Sequence, residues 1–392
     1  MARILVIPVH NIIKQQDKSR IVGMDLKQGV LTGSILADLH ETHILIPDGL
    51  KVNLISNWTP SLRPINADVP KEVTMGCART VRFTKKIYPL IRRYDVVFNY
   101  NAAMTMWLRS LPDCPPIVTT IDNPSSVAEW DRNPIGQWEF THALQILEAG
   151  AAIDGPLMLH NPDDYNIIMR QIPSIFSSEL SSKALANVVF IWNPIVPVAQ
   201  LRRHSKPKNG VFEVLIAGGF GPGREGLPKQ AMTTLRVLQK LRRLRYKVKL
   251  TVCSSTPESD WTHRILKPFR SFTSFFYRPN NYAELFDRAH IGIALREISD
   301  GSRFTLSEMM MNGKPVIWLN NRYIEGWTDP ELMPYHANKH DLKKVSNAMI
   351  RCMRNYEEAA ELALRQGAIA CNRHHRDSWR DAIKPILEGV IK

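Results

Sequence analysis

Short runs of Val, Ile and Leu recur along the chain, each bounded by turn residues, and alternate with longer amphipathic stretches. That alternation fits parallel strands joined by helical crossovers, because strands covered on both faces read as continuous apolar runs. In the first half the runs are "RILVIPV", "THILIP", "DVVFNY" and "PIVTTID", followed by a helical stretch near "QWEFTHALQILEAG" and an apolar run at "GPLMLHN". In the second half they are "FEVLIAGG", "KVKLTVCS", "SFFYR", "IGIAL" and "KPVIWLN". Two α/β units therefore follow one another.

A chain of 392 residues is long for one core and comfortable for two. The break falls at "VVFIWNPIVPVAQLRRHSKPKNG", where three prolines and a basic, glycine-terminated loop precede the strand that starts at Phe212. The expected division is residues 1–192 and 193–370, with 371–392 as a final helix returning to the first domain. Two such domains joined by a Pro-rich hinge leave a cleft at the carboxyl ends of their strands, where open sheets bind ligands.

With 51 Lys and Arg against 37 Asp and Glu, the chain carries a formal charge of +14, enough to attract a polyanion such as nucleic acid or an anionic membrane surface. The densest cationic stretch, "LQKLRRLRYKVKL", reads as a helix with a basic face running into a strand, either a solvated surface or a docking patch. No run reaches the ~18 apolar residues of a membrane span, and the opening apolar run is too short for a signal peptide. Cys77, Cys114, Cys253, Cys352 and Cys371 lie far apart with no metal-binding spacing, which fits free thiols in a reducing cytoplasm.

The stretch "SDGSRFTLSEMMMNGKPVIWLN", residues 299–320, carries more chemistry than a strand-to-helix join requires. Ser302 is placed to cap a helix and Gly313 to stop it in the left-handed conformation. The first free amides, from Arg303, Phe304 and Thr305, then form a phosphate site at the positive end of the helix dipole, helped by the Arg303 charge and the Thr305 hydroxyl. Glu308, about a turn further on, is set to accept both hydroxyls of a ribose, and Asp300 to accept those of a second sugar. Together they outline a sugar, a diphosphate and a nucleoside side by side.

Asp300, Gly301, Arg303, Glu308, Gly313, Pro315 and Val316 resemble the acid-x7-Glu signature and trailing G-x-P-V of retaining glycosyltransferases with the GT-B fold. The resemblance implies an α/β fold of two Rossmann-like domains facing a central cleft. It further implies a nucleoside-diphosphate sugar, most simply a UDP-sugar, as donor, with no tightly bound cofactor and no metal. Many members have Glu where Asp300 stands, and some have Lys in place of Thr305. A second stretch, "FEVLIAGGFGPGREGLPKQAMTTLRVL", resembles the family's strand-to-helix connection, in which glycines such as Gly219 let the backbone approach the donor while Arg224 and Lys229 neutralise its diphosphate. It lacks the register of a dinucleotide or P-loop fingerprint.

A narrower likeness joins "FTLSEMMMNGKPVIW" and "NNYAELFDRAHIGIAL" to phage DNA α-glucosyltransferases, which modify 5-hydroxymethylcytosine in duplex DNA. On that reading the protein works in the cytoplasm of an infected bacterium. Lys14, Lys18, Arg20, Arg79, Arg82, Lys85 and Lys86 hold DNA phosphates, and the target base is flipped out. The rivals are a peripheral membrane glycosyltransferase of lipid-linked or surface polysaccharide and a non-catalytic DNA-binding protein on the same fold. In the first domain, Asp122 ends a strand near the place where relatives hold a His. It is a candidate to orient the acceptor hydroxyl or take its proton, or it simply caps the turn before Pro124. His10 and Asn11 end the first strand facing the cleft. "CNRHHRDSW" reads as the start of the last helix, with Trp379 packing on the first domain, and Met309 to Met311 as core.

Overall fold

A computed structural model describes residues 1–8, 24–47, 59–67, 72–75, 78–81, 87–100, 102–121, 146, 148–218, 227–254, 258–277, 279–295, 302–320, 326–337 and 340–391. For residues 24–28, 47, 66–67, 72–75, 78–81, 102–103, 106, 163, 227–229 and 302–304 the description stops at the backbone. The chain divides into two compact units, Met1–Pro194 with Arg376–Lys392, and Ile195–His375.

The first unit is built on strands β1 (Arg3–Ile7), β2 (Glu41–Pro47), β3 (Arg63–Ala67), β6 (Val96–Asn99), β7 (Ile117–Ile121), β8 (Leu157–Leu159) and β9 (Val188–Phe190). They form one sheet in the order β3-β2-β1-β6-β7-β8-β9. Every pairing in it is parallel. The two strands between β3 and β6, β4 (Glu72–Met75) and β5 (Ala78–Val81), form a separate antiparallel hairpin. Ile4, Leu5, Val6 and Ile7 are all buried, as a strand covered on both faces requires. The helix Arg376–Val390 belongs to this unit, and its Trp379, Ile383 and Leu387 are buried in the cluster that contains Phe98 and Met158. The Trp379 and Phe98 rings meet edge to face at 6.3 Å.

The second unit repeats the plan with β10 (Phe212–Gly218), β11 (Val248–Ser254), β12 (Thr273–Tyr277), β13 (Ile291–Ala294), β14 (Val316–Leu319) and β15 (His336–Ala337), in the order β12-β11-β10-β13-β14-β15. All its pairings are parallel. Both sheets reverse direction beside their first strand, at β1/β6 and at β10/β13. That is the topological switch point where adjacent loops diverge and leave a crevice.

Residues 371–374 do not start the last helix. They complete the helix Tyr356–His374, which stays in the second unit because Cys371 Sγ donates to the Met311 carbonyl (3.4 Å) and His374 stacks on Trp327 at 5.1 Å. The backbone breaks at His375, and the final helix begins at Arg376.

Two helices of the second unit end in left-handed stops. Ser302–Met311 stops at Gly313 (φ 72), where the Gly313 amide donates to the Met310 carbonyl (2.7 Å) and that of Lys314 to Met309 (3.1 Å). A Cβ at Gly313 would lie 2.4 Å from the Arg202 carbonyl oxygen, so the position admits no side chain. Leu227–Arg243 ends in the same way, with Arg245 donating to Arg242 (2.9 Å) and Tyr246 to Leu241 (3.0 Å). Its left-handed residue is Arg245 (φ 66), where glycine would be favoured by about 1 kcal/mol.

Candidate functional site

Among the described residues, the candidates Thr305 and Glu308 lie beside the β10/β13 switch point of the second unit. β10 ends at Gly218 in a conformation (φ 105) that side chains avoid, and a Cβ there would sit 3.5 Å from Thr305 Oγ1. The start of the glycine-rich connection therefore touches the first turn of the helix Ser302–Met311, and two motifs nearly 90 residues apart meet. Gly292 in β13 lets that helix lie close to the sheet, since a Cβ there would fall 2.4 Å from Met309 Sδ. Leu306, Met309 and Met310 are buried beneath the helix, which leaves Thr305 and Glu308 half-exposed, one turn apart.

The helix begins at Ser302, one residue earlier than a capping role for Ser302 requires. A helix that starts there leaves the amides of Ser302, Arg303 and Phe304 without acceptors inside the helix, whereas the Thr305 amide falls within the hydrogen-bonded part. The side chains of Ser302, Arg303 and Phe304 lie outside the described residues, as do Gly219, Arg224, Asp300, Gly301 and Asp122 altogether. His10, Asn11 and the side chains of the seven cations assigned to DNA phosphates lie outside them too. Lys229 is the third residue of the helix Leu227–Arg243 rather than part of the loop, and only its backbone is described.

Sequence reading missed Tyr282, the first residue of the helix Tyr282–Arg288. Its hydroxyl donates a hydrogen bond to the Glu308 carboxylate. Burial pushes the phenol's ionisation upward, and the Glu308 charge, the nearby Cys253 and the hydrogen bond itself add to that. Tyr282 stays a neutral donor at any working pH. Glu308 can then spend its remaining lone pairs on a ligand. The stretch "NNYAELFDRAHIGIAL" contains this tyrosine, but nothing local in it announces a partner 26 residues away.

Behind the site the helix is anchored from its far end. Asn312 Nδ2 donates to the Gln200 carbonyl (2.8 Å) and to Asp287 (3.2 Å). Asn312 also presents two acceptors to His204 Nε2, at 2.9 and 3.2 Å, so that nitrogen carries the proton. Burial holds the His204 pKa down to about 4, the Lys314 and Arg202 charges lower it further, and the bonds to Asn312 oppose them. Lys314, the variable residue of the G-x-P-V ending, is 1% exposed. Its ammonium donates to the Ala289 carbonyl and lies 5.6 Å over the Phe286 ring, which also meets the Tyr282 ring edge to face. Burial lowers its pKa to about 7, with Asp287 opposing and Arg202 assisting.

Two doubly wound parallel sheets in one chain, each reversing beside its first strand, define the architecture of the GT-B glycosyltransferases, and solved structures confirm it over the full length. Sucrose-phosphate synthase from Thermosynechococcus elongatus superposes with a TM-score of 0.70 at 11% identity, covering 100% of this chain and 99% of that one. Anabaena HepE in complex with UDP and glucose gives 0.69 at 11% identity over 99% and 100% of the two chains. TarM from S. aureus, in a complex that includes UDP, gives 0.70 at 10% identity over 98% and 99%. No protein-family model and no curated protein sequence matches the chain.

Proposed function

We propose that the protein transfers a sugar, with retention, from a UDP-sugar to an acceptor hydroxyl. The observation that carries this reading is the meeting of Gly218, Thr305 and the Tyr282-held Glu308 at the switch point of the second sheet. The amides of Ser302 to Phe304 receive the diphosphate, Arg224 and Lys229 neutralise it, Glu308 accepts the ribose hydroxyls, and Asp300 with Arg303 positions the donor sugar. Stabilising the departing diphosphate by these fixed dipoles and charges is the largest catalytic contribution. The first unit presents the acceptor, with Asp122 orienting its hydroxyl. HepE, of the same fold, is described with UDP and with UDP-glucose, which supports the choice of donor.

For the acceptor we propose a hydroxymethylated base in duplex DNA, on the strength of the "FTLSEMMMNGKPVIW" likeness and the +14 charge. A donor panel read as nucleoside diphosphate release, with and without hydroxymethylated duplex, tests donor and acceptor together. Release from no donor ends the glycosyltransferase reading, and release that ignores DNA ends the acceptor reading alone. Lys229→Ala is expected to lower kcat about 100-fold at saturating donor, the cost of removing a charge whose interaction strengthens in the transition state. A rate equal to that of the unmodified protein would remove Lys229 from the site.

A further inference from the structure

We propose that the corner joining the helix Leu227–Arg243 to β11 is a docking surface for an anionic lipid bilayer. Lys240, Arg243, Arg245, Lys247 and Lys249 are not buried there, and none forms an ion pair among the described residues. The neighbouring acid, Glu213, pairs in register with Lys249 but is committed to Arg288 (2.9 Å) and Thr251 (3.1 Å). Arg242 is exposed as well, but its guanidinium is engaged by the Val248 carbonyl (3.3 Å) and the Phe272 ring (5.0 Å), so it shapes the corner rather than serving as a free charge. An open groove of about 320 Å³ runs beside these cations, and its lining includes Arg242, Arg245, Tyr246, Lys247 and Lys249. It suits a phosphodiester headgroup.

Two features go beyond a solvated basic surface. Arg245 holds the left-handed position that glycine would occupy at lower cost, so a cation stands where local backbone preference argues against one. Leu244, at the apex between Arg243 and Arg245, is 54% exposed. An apolar tip ringed by cations matches an interface with acyl chains beneath and anionic headgroups above. A nucleic-acid backbone offers Leu244 nothing to bury against. No helix among the described residues is long and apolar enough to cross a membrane, so attachment through this corner is peripheral. The corner sits at the amino-terminal edge of the second sheet, opposite the edge that carries Glu308, so docking leaves the proposed nucleotide site uncovered.

The test is cosedimentation of the full chain with vesicles of equal parts phosphatidylcholine and phosphatidylglycerol, against pure phosphatidylcholine, with duplex DNA retention measured in parallel. Binding is expected only to the mixed vesicles and is expected to weaken with salt. Combined Arg243→Glu, Arg245→Glu and Lys247→Glu should abolish it, and Leu244→Ser alone should weaken it about tenfold. Arg245→Gly should raise Tm while weakening vesicle binding about fivefold, a split that general damage to the fold does not produce. Vesicle binding indifferent to Leu244→Ser and to the charge reversals would overturn the proposal, as would DNA retention that depends on these cations with no vesicle binding. Neither readout involves donor or transfer, so it stands or falls apart from the proposed reaction.

Discussion

Glu308→Ala is expected to raise the KM for the proposed UDP-sugar donor about 10- to 100-fold with little change in kcat, the size expected for losing charge-assisted hydrogen bonds worth roughly 1.5–3 kcal/mol. The ribose is remote from the bond that breaks, so its binding is nearly the same in ground and transition states, and such losses appear in KM. Tyr282→Phe leaves the carboxylate in place but frees it to rotate, and is expected to raise KM about threefold to tenfold in the same direction. Donors lacking the ribose hydroxyls separate recognition from damage, because they should bind the unaltered protein and Glu308→Ala equally. An unchanged KM in Glu308→Ala, measured by initial rates across donor concentration, removes the ribose role. An unchanged KM in Tyr282→Phe alone leaves Glu308 self-supporting.

The second large effect concerns stability and pH. With the Lys314 pKa lowered to about 7 in the fold, the unfolded chain holds a proton that the folded chain lacks between about pH 7 and the ordinary lysine value of 10.5. Stability therefore rises with pH through that window at about 1.4 kcal/mol per unit, for a total of roughly 5 kcal/mol. Buried Cys253 and Tyr335, both pushed up to about 12, act in the opposite sense above pH 9, because their unfolded forms lose protons first. The diagnostic quantity is thus the difference between the unaltered protein and Lys314→Met in urea unfolding from pH 7 to 10. Lys314→Met should be the more stable at pH 7, with its advantage shrinking steadily toward pH 10. A difference that does not vary with pH would mean that Lys314 is charged throughout. His204 adds a slope on the acid side, since its folded pKa of about 4 withdraws stability as pH falls below the free imidazole value of 6.5.

Strands buried on both faces are readable because nothing interrupts their Val and Ile runs. In the second half β10, β11, β13 and β14 are runs of this kind, whereas β12, at the sheet edge and buried only at Thr273, is legible instead from its aromatic residues. β3 is not readable, because "RPINA" has a proline and no apolar run, and it is tolerated only because it lies at the sheet edge. β15 has two residues and no pattern to carry. In the site, the Gly313 stop is legible as local chemistry, and the observed φ of 72 matches it. Tyr282 is not, because its role depends on a fold-made encounter with Glu308. Lys314 is invisible for another reason: composition places lysines at the surface, and only the closeness of Ala289 and Phe286 explains one that is not. Gly218 belongs by sequence to a glycine-rich connection expected to approach a nucleotide, and in the fold a side chain at this position would meet Thr305.

The helix Arg376–Val390 has a consequence for anyone wishing to divide the gene. A cut after Pro194 does not release a finished first half, since Trp379, Ile383 and Leu387 come from the other end of the message and plug the same apolar interior as Ile4 and Phe98. Exchanging halves with another protein of this architecture therefore takes two joins rather than one, and a fragment made with a single join would emerge from the ribosome with a hole in its middle.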